Sequence, residues 1–227
     1  MNILTFSIRN SKLNHLADFL GYPHAQVAAL DLPAGFTCPN ADICKTFAHR
    51  KTGKLIRCGR VLCYAAKIEA MYPSVRKAHW NNYDMLLSRN NSFVDMAELI
   101  HVSLETTRIK VVRIHSSGDF FSDNYFKAWE LVASWNPKIA FYGYTKVLNY
   151  VTCLKPDNFH LVYSFGSTDD TYAKLLRSAG AEIPTCYIKE TPRQYDRLRL
   201  PVICGKGDEA GDFGYIMSDK SFALRIH

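Results

Sequence analysis

Lys110-Val111-Val112-Arg113-Ile114-His115-Ser116-Ser117-Gly118-Asp119-Phe120-Phe121-Ser122 is the stretch from which the fold is read. Its first half is a short apolar run in which Val111, Val112 and Ile114 are β-branched, the composition of a buried strand. Its second half turns small and polar, and Gly118 permits a tight bend or the close approach of a ligand. Beyond it, Asn124–Trp135 spaces Phe126, Trp129, Leu131 and Val132 as an amphipathic helix, with Ser122 or Asp123 placed to cap it. Ile139–Tyr144 then predicts the next strand. Strand, polar turn, helix and strand form the unit of a parallel sheet, because parallel neighbours need a helical crossover.

Working outward, the same reasoning predicts strands at Val27–Leu32, Phe159–Phe165, Thr185–Lys189 and Val202–Cys204. Helices are predicted from Tyr64 to Pro73, over Val75–Leu87 and Phe93–Leu104, and over Thr171–Ala179, where Gly180 stops the last. Residues 1–26 read as an irregular or partly helical lead-in. Residues 205–227 read as a closing hairpin or cap. About six strands alternating with helices are too few for a complete eight-stranded barrel. The expectation is one α/β domain over residues 1–227, a partial (β/α)6 TIM-like barrel, with an open doubly wound sheet as the competing topology. Either arrangement puts chemistry at the carboxyl ends of the strands.

The chain has 227 residues, 48% hydrophobic and 22% charged, which fits a folded globular protein and excludes a disordered or fibrous one. No apolar run approaches the roughly twenty residues of a membrane span. The first residues show no charged segment followed by an apolar core and a cleavage site, so a cytoplasmic location is expected. The 28 Lys and Arg against 21 Asp and Glu leave a formal charge of +7, which favours phosphate-rich partners without proving them.

Seven cysteines is an odd number, and four of them form Cys38-x5-Cys44-x13-Cys58-x4-Cys63. That clustering suits a reduced compartment and a metal better than a disulfide framework. Thiolates bind zinc or iron–sulfur clusters because soft sulfur matches those metals. The loop 33–63 follows the first predicted strand and is long enough to wrap a metal, though its spacing is looser than the paired knuckles of structural zinc. Three cysteine ligands would leave one iron of a cluster open. Cys153, Cys186 and Cys204 stand alone and read as small buried hydrophobes.

His115 and Asp119 fall at the carboxyl end of the strand Lys110–His115, beside Ser117 and Gly118. The plainer reading is a tight turn that caps the next helix, and both can hold together. Tyr142, Tyr144, Thr145 and Lys146, then Tyr163, Ser164 and Gly166, then Lys189 and Glu190 mark further strand ends and outline a pocket rim. The stretch Arg76-Lys77-Ala78-His79-Trp80 with Asn81, Asn82 and Tyr83 mixes cations, amides and aromatics. It suits nucleic-acid contact, or more plainly a solvated helix face with Trp80 and Tyr83 packed inward. Cys204-Gly205-Lys206-Gly207-Asp208 lacks the spacing of a Walker loop, and neither a G-x-S-x-G elbow nor an H-E-x-x-H helix occurs.

Leu32-Pro33-Ala34-Gly35-Phe36-Thr37-Cys38-Pro39, Cys44, Cys63-Tyr64-Ala65-Ala66, Arg113–Ser122 and Phe141-Tyr142-Gly143-Tyr144-Thr145-Lys146 together resemble the phage "gene product 88" family, whose activity is unassigned. The resemblance spans about residues 30–166. Cys38, Cys44 and Cys63 have counterparts in its pattern, whereas Cys58 is an addition. The layout also resembles radical S-adenosylmethionine enzymes, in which a three-cysteine loop after the first strand holds a 4Fe–4S cluster and a small-residue acidic motif after the second meets the cofactor. Ser117-Gly118-Asp119 stands in the place of that motif, but the usual C-x3-C-x2-C spacing is absent.

This likeness implies an iron–sulfur enzyme that cleaves S-adenosylmethionine reductively and modifies a nucleotide or nucleic acid. Cys38, Cys44 and Cys63, with Cys58 as a further candidate, would bind metal. Asp119, His115 and Lys146 would be catalytic, and Ser117, Gly118, Asp119, Tyr144 and Ser164 would bind the cofactor. Two alternatives stay open. One is a transglycosylase that exchanges guanine for 7-deazaguanines, with structural zinc and Asp119 as nucleophile or base. The other is a non-catalytic nucleic-acid-binding module with structural zinc.

Overall fold

A computed structural model describes residues 3–8, 10–189, 200–203 and 208–225 of the chain. In chain order the elements are β1 (Phe6–Ser7), α1 (Ser11–Leu20), β2 (Val27–Leu30), β3 (Thr46–Ala48), β4 (Leu55–Arg57), α2 (Tyr64–Met71), α3 (Pro73–Leu87) and α4 (Phe93–Glu105). There follow β5 (Val111–Ile114), α5 (Asp123–Trp135), β6 (Ala140–Thr145), α6 (Leu148–Thr152), β7 (Phe159–Ser164), α7 (Asp170–Ser178), β8 (Thr185–Lys189), β9 (Val202–Ile203), α8 (Asp208–Met217) and β10 (Phe222–Arg225).

Eight strands form one mixed, mostly parallel sheet in the order β1-β2-β5-β6-β7-β8-β10-β9, and β3 and β4 form a separate hairpin. β2, β5, β6, β7 and β8 neighbour one another in chain order and all pair parallel. The order departs from this only at the far edge, where β10 lies between β8 and β9. At the near edge β1 runs antiparallel to β2, Phe6 opposite Leu30. The sheet is open among the described residues, with β1 and β9 as its edges.

Alternation along each strand builds two layers, since successive side chains leave opposite faces of a sheet. Ala28, Leu30, Val112, Ile114, Phe141 and Leu161 join one core with α4, α5 and α6 through Met96, Ile100, Trp129 and Tyr150. Val27, Ala29, Val111, Tyr142 and Val162 join a second core with Leu13, Leu16 and Ala17 of α1 and Phe213 and Ile216 of α8. With both faces covered, the central strands read as apolar runs rather than alternating ones. Burying each large apolar side chain contributes about 1.5–3 kcal/mol. Among the described residues no helix is long and apolar enough to cross a membrane.

The expected elements between Val27 and Lys189 are present, within a few residues at their ends. α3 begins at Pro73 rather than Val75, because proline at the first helical position gives up no bond the helix needs. The lead-in holds β1 and a ten-residue helix, α1, which Asn10 caps by accepting from the Lys12 N–H. Where it is described the tail is no hairpin: α8 covers the second face and β10 enters the sheet. Cys204, Gly205, Lys206, Gly207 and Glu190 lie outside the described residues.

Trp129 is fully buried against Phe141, whereas Trp135 of the same helix is 41% exposed. Trp129→Ala is expected to lower unfolding free energy by about 3–5 kcal/mol in urea titrations, and Trp135→Ala by less than about 1 kcal/mol.

Candidate functional site at the strand ends

The turn after β5 is held by a buried carboxylate. Asp31, just beyond β2, accepts the backbone N–H groups of Ser116 (2.7 Å) and Ser117 (2.9 Å) on Oδ1. The Leu32 N–H donates to the Ser117 carbonyl, so the two strand ends are bonded both ways. His115 takes a left-handed conformation (φ 66°), uncommon for a residue with a Cβ and typical of positions that other contacts enforce. Gly118 is needed for a different reason. Its φ is 90°, and a Cβ there would stand 2.6 Å from Thr37 Oγ1 and 2.8 Å from Leu32 Cβ.

Asp119 ties β5 to β6: its Oδ1 accepts the Phe120 N–H (2.8 Å) and its Oδ2 the Lys146 N–H (2.9 Å). Burial pushes its carboxyl up to about 6, against the lowering effect of those two N–H groups. Lys146 extends Nζ to the carbonyls of Phe165 (2.7 Å) and Ser164 (3.3 Å), fastening β6 to the end of β7. His115 Nε2 lies 3.0 Å from the Tyr125 hydroxyl, and Nδ1 has no hydrogen-bond partner among the described residues. Burial alone lowers this imidazole to about 3, so it stays neutral near pH 7.

The cysteine segment folds back over these strand ends. Asp42 and Ile43 donate their N–H groups to the Gly166 carbonyl at 3.3 Å, Ala41 bridges to Ser167, and Asn40 Nδ2 donates to Asp169 at 2.8 Å. Gly166 admits this approach because a Cβ there would meet Ile43 Cδ1 at 2.3 Å. As a result Cys38, Cys44 and Cys63 line one cavity of about 170 Å³, whose wall also includes Arg113, His115, Ser117, Gly118, Asp119, Tyr144, Lys146 and Ser164. Cysteines 25 positions apart in the chain thus share one space. Cys58 does not join them: it is exposed after β4, its N–H bonded to the Lys45 carbonyl.

Each thiol has a distinct setting. Cys38 Sγ accepts from the Gly35 N–H at 3.3 Å, yet burial and then Asp119 push the thiol well above its usual range. Cys63 occupies the N-cap position of α2. Burial raises it, while the N–H groups of Ala66 and Ala65 at the helix start favour its thiolate. Cys44 adds to the repulsion felt by both. Among the described residues, no three His, Cys, Asp or Glu side chains stand close enough together, as placed, to hold a single metal ion.

Beneath the turn lies a buried polar network with little local signature in the chain. Glu69 Oε1 takes the Ala34 N–H (2.8 Å) and lies 2.7 Å from Ser117 Oγ and 2.9 Å from His79 Nδ1. His79 Nε2 is 3.9 Å from Asp31 Oδ2. Arg113, inside a strand of apolar neighbours, stacks over the Tyr144 ring at 5.2 Å, and the Tyr144 hydroxyl donates to Asp212 of α8. Burial works against the charge on Arg113, but Tyr142, Tyr144, Asp212 and Asp31 hold its pKa above the usual value. Two signals could have found these groups: Asp31 ends a wholly apolar strand, and Glu69 shares a helix face with Ala65 and Ala66.

The stretch Arg76–Tyr83 is not the solvated helix face of the plainer reading: Trp80 packs inward as expected, but so do polar residues of the same stretch. Arg76, His79, Trp80 and Asn82 are buried. Arg76 donates to the Glu69 and Arg50 carbonyls, and Asn82 Nδ2 to those of Thr5 and Asp31. Cys186 is buried and Cys153 exposed.

The sequence profile of the Gene product 88 family matches residues 4–220, and the chain belongs to that family. It is 28% identical to "Gene 88 protein" of Mycobacterium phage L5 over 221 residues, covering 92% of this chain and 80% of that one. It is 27% identical to "Gene 88 protein" of Mycobacterium phage D29 over 179 residues, 74% of this chain and 65% of that one. No solved structure matches.

The unfolded chain protonates a histidine near pH 6.5 and the folded chain protonates His115 only near 3, so its contribution to stability falls as pH drops below 6.5. Between pH 7 and 5 the wild type should lose about 2 kcal/mol that His115→Gln does not lose. Urea titrations at the two pH values check this, and the His115 ring nitrogens should report a neutral ring at pH 5 by NMR.

Proposed function

We propose that this phage-family protein is an iron–sulfur enzyme of radical S-adenosylmethionine type that modifies a nucleotide or nucleic acid in the host cytoplasm. One observation carries the reading: three cysteines gather at the carboxyl ends of parallel strands around the same cavity as Ser117, Gly118 and Asp119. Such ends are where ligands bind in parallel α/β folds. The chain-ordered run from β2 to β8 is the order of a (β/α) barrel wall, but α1 and α8 cover the face a barrel would enclose, so the sheet is read as an open one.

The donor set fits a cluster. Three soft sulfurs face one cavity, and the fourth cysteine of the segment points elsewhere. A zinc ion draws its sulfurs to about 2.3 Å from one centre. A cluster bonds each cysteine through a different iron and so spreads its three sulfurs around a larger centre. Cys38, Cys44 and Cys63 would hold it, and when bound it supplies the electron that cleaves the sulfonium C–S bond.

The remaining work falls to the chain itself. Arg113 and Lys146 bring positive charge to a cavity otherwise bordered by thiols and Asp119. Lys146 is oriented by the Phe165 carbonyl and Asp119 by the two N–H groups it accepts. Both oxygens of Asp119 are so engaged, which supports a positioning role over that of a transglycosylase nucleophile. Neutral His115 presents an imidazole with one nitrogen uncommitted.

Anaerobic incubation with S-adenosylmethionine and a low-potential reductant should release methionine and 5′-deoxyadenosine. Cys38→Ala, Cys44→Ala and Cys63→Ala should each reduce this to background, while Cys58→Ser stays within about twofold of wild type. Equal loss in all four variants, or no product from the wild type after reconstitution, contradicts the assignment.

A further inference from the structure

The chain carries 28 Lys and Arg against 21 Asp and Glu, and the whole of that excess lies in one segment. Residues 43–68 hold seven cations (Lys45, Arg50, Lys51, Lys54, Arg57, Arg60 and Lys67) and not one acid. The rest of the sequence is balanced, 21 of each sign. Soluble surfaces ordinarily mix the two signs, so an uninterrupted field of one sign suits an oppositely charged partner.

The fold spreads this segment beside the cysteine cavity, as the β3–β4 hairpin and the first half of α2. The hairpin's turn rests on the junction of α2 and α3: a Cβ at Gly53 would stand 2.7 Å from an Arg76 guanidinium nitrogen and 3.1 Å from the Ala70 carbonyl oxygen. Its other end is tied to the cysteine segment. Cys58 and Gly59 donate their N–H groups to the Lys45 carbonyl at 2.8 Å, and Val61 donates to that of Ile43 at 2.7 Å.

Two of the cations are already engaged. Lys45 Nζ donates to the Cys38 carbonyl (2.6 Å), and Arg50 pairs with Asp84 while lying over the Trp80 ring. Lys51, Lys54, Arg57, Arg60 and Lys67 are exposed, and none forms an ion pair among the described residues. They give a braced cationic surface that runs from the α2–α3 junction to the approach to Cys63.

Aromatic rings stand at both ends of the cysteine segment. Phe36, two residues before Cys38, is 51% exposed, with its ring centre 4.7 Å from that of Trp80. Tyr64, immediately after Cys63, is 70% exposed. Cations that track a phosphate backbone and bare rings on which bases stack are together the means of holding a single strand of nucleic acid. A duplex keeps its bases stacked on one another and a lipid surface has none, so the rings favour the single strand.

We propose that the β3–β4 hairpin and the start of α2 bind the phosphodiester backbone of single-stranded nucleic acid beside the cysteine cavity. This makes the substrate of the enzyme proposed above a polynucleotide rather than a free nucleotide, and it rests on that reading for its chemistry. Binding itself needs no cluster.

The test is fluorescence anisotropy of labelled single strands of DNA and RNA, roughly 20 nucleotides long, titrated with the full-length protein. The logarithm of affinity should fall against the logarithm of salt concentration with a slope of about −3, near −0.7 for each phosphate neutralised. Lys51→Gln/Lys54→Gln/Arg57→Gln/Arg60→Gln should bind at least about tenfold more weakly and flatten the slope to about −1. Arg108→Gln/Lys110→Gln/Lys127→Gln/Lys138→Gln removes the same charge from exposed positions on α5 and before β5 and β6, and should stay within about twofold of wild type. Tyr64→Ala should weaken binding several-fold and Tyr64→Phe should restore it. A preference for RNA or for DNA identifies the strand and supports the proposal in either case. Equal loss in the two charge variants, unchanged affinity in Tyr64→Ala, tighter binding of a duplex than of either strand, or sedimentation with phosphatidylserine vesicles without oligonucleotide binding overturns it. Strand binding by a protein that never takes up iron would overturn the cluster and leave this surface standing. A cluster-bearing protein that binds no strand would do the reverse.

Discussion

The carboxylate of Asp31, accepting two successive N–H groups from the turn after β5, is the contact on which the site depends. It brings the ends of β2 and β5 into fixed register and supports the left-handed backbone of His115. Asp119 repeats the device one strand further on by accepting the Lys146 N–H, and Lys146 repeats it again at the end of β7. Hydrogen bonds to a charged group are worth about 1.5–3 kcal/mol each. Several of them offset the cost of a strained residue and of carboxylates removed from water. The cavity is therefore built on side-chain-to-backbone bonds, and its shape is set before any ligand arrives.

The same economy of space creates an electrostatic tension. Cys38, Cys44 and Cys63 share a small volume with Asp119, and Glu69 lies near enough to Cys63 to oppose its ionisation. Without a cation, burial and these neighbours favour the protonated thiols of Cys38 and Cys63. A metal centre would reverse that balance, because its charge stabilises thiolates and its binding releases their protons. Arg113, Lys146 and the start of α2 at Cys63 supply part of the compensating positive potential.

The sequence made the frame legible because buried parallel strands and their helices carry strong local patterns. Val111–Ile114, Ala140–Thr145 and Phe159–Ser164 stand close to where their composition predicts them. The cysteines, Ser117, Gly118, Asp119, Tyr144, Lys146 and Ser164 could be proposed together because strand ends collect in space. What local pattern could not show was long-range pairing. Nothing near Glu69 announces its contact with Ser117, 48 positions away, nor does Asn82 betray its bonds to Thr5 and Asp31. The α8–β10 return also escaped, because a strand inserted between two others leaves no local mark. Cys58 shows the opposite failure: its sequence position puts it with the other three, and the β3–β4 hairpin carries it out to solvent.

Iron, acid-labile sulfide and zinc per chain, measured on protein purified without oxygen, test the central claim most directly. A three-cysteine cluster predicts about four irons and four sulfides with little zinc. One zinc without iron, or a chain with no metal that takes up none on reconstitution, would contradict it.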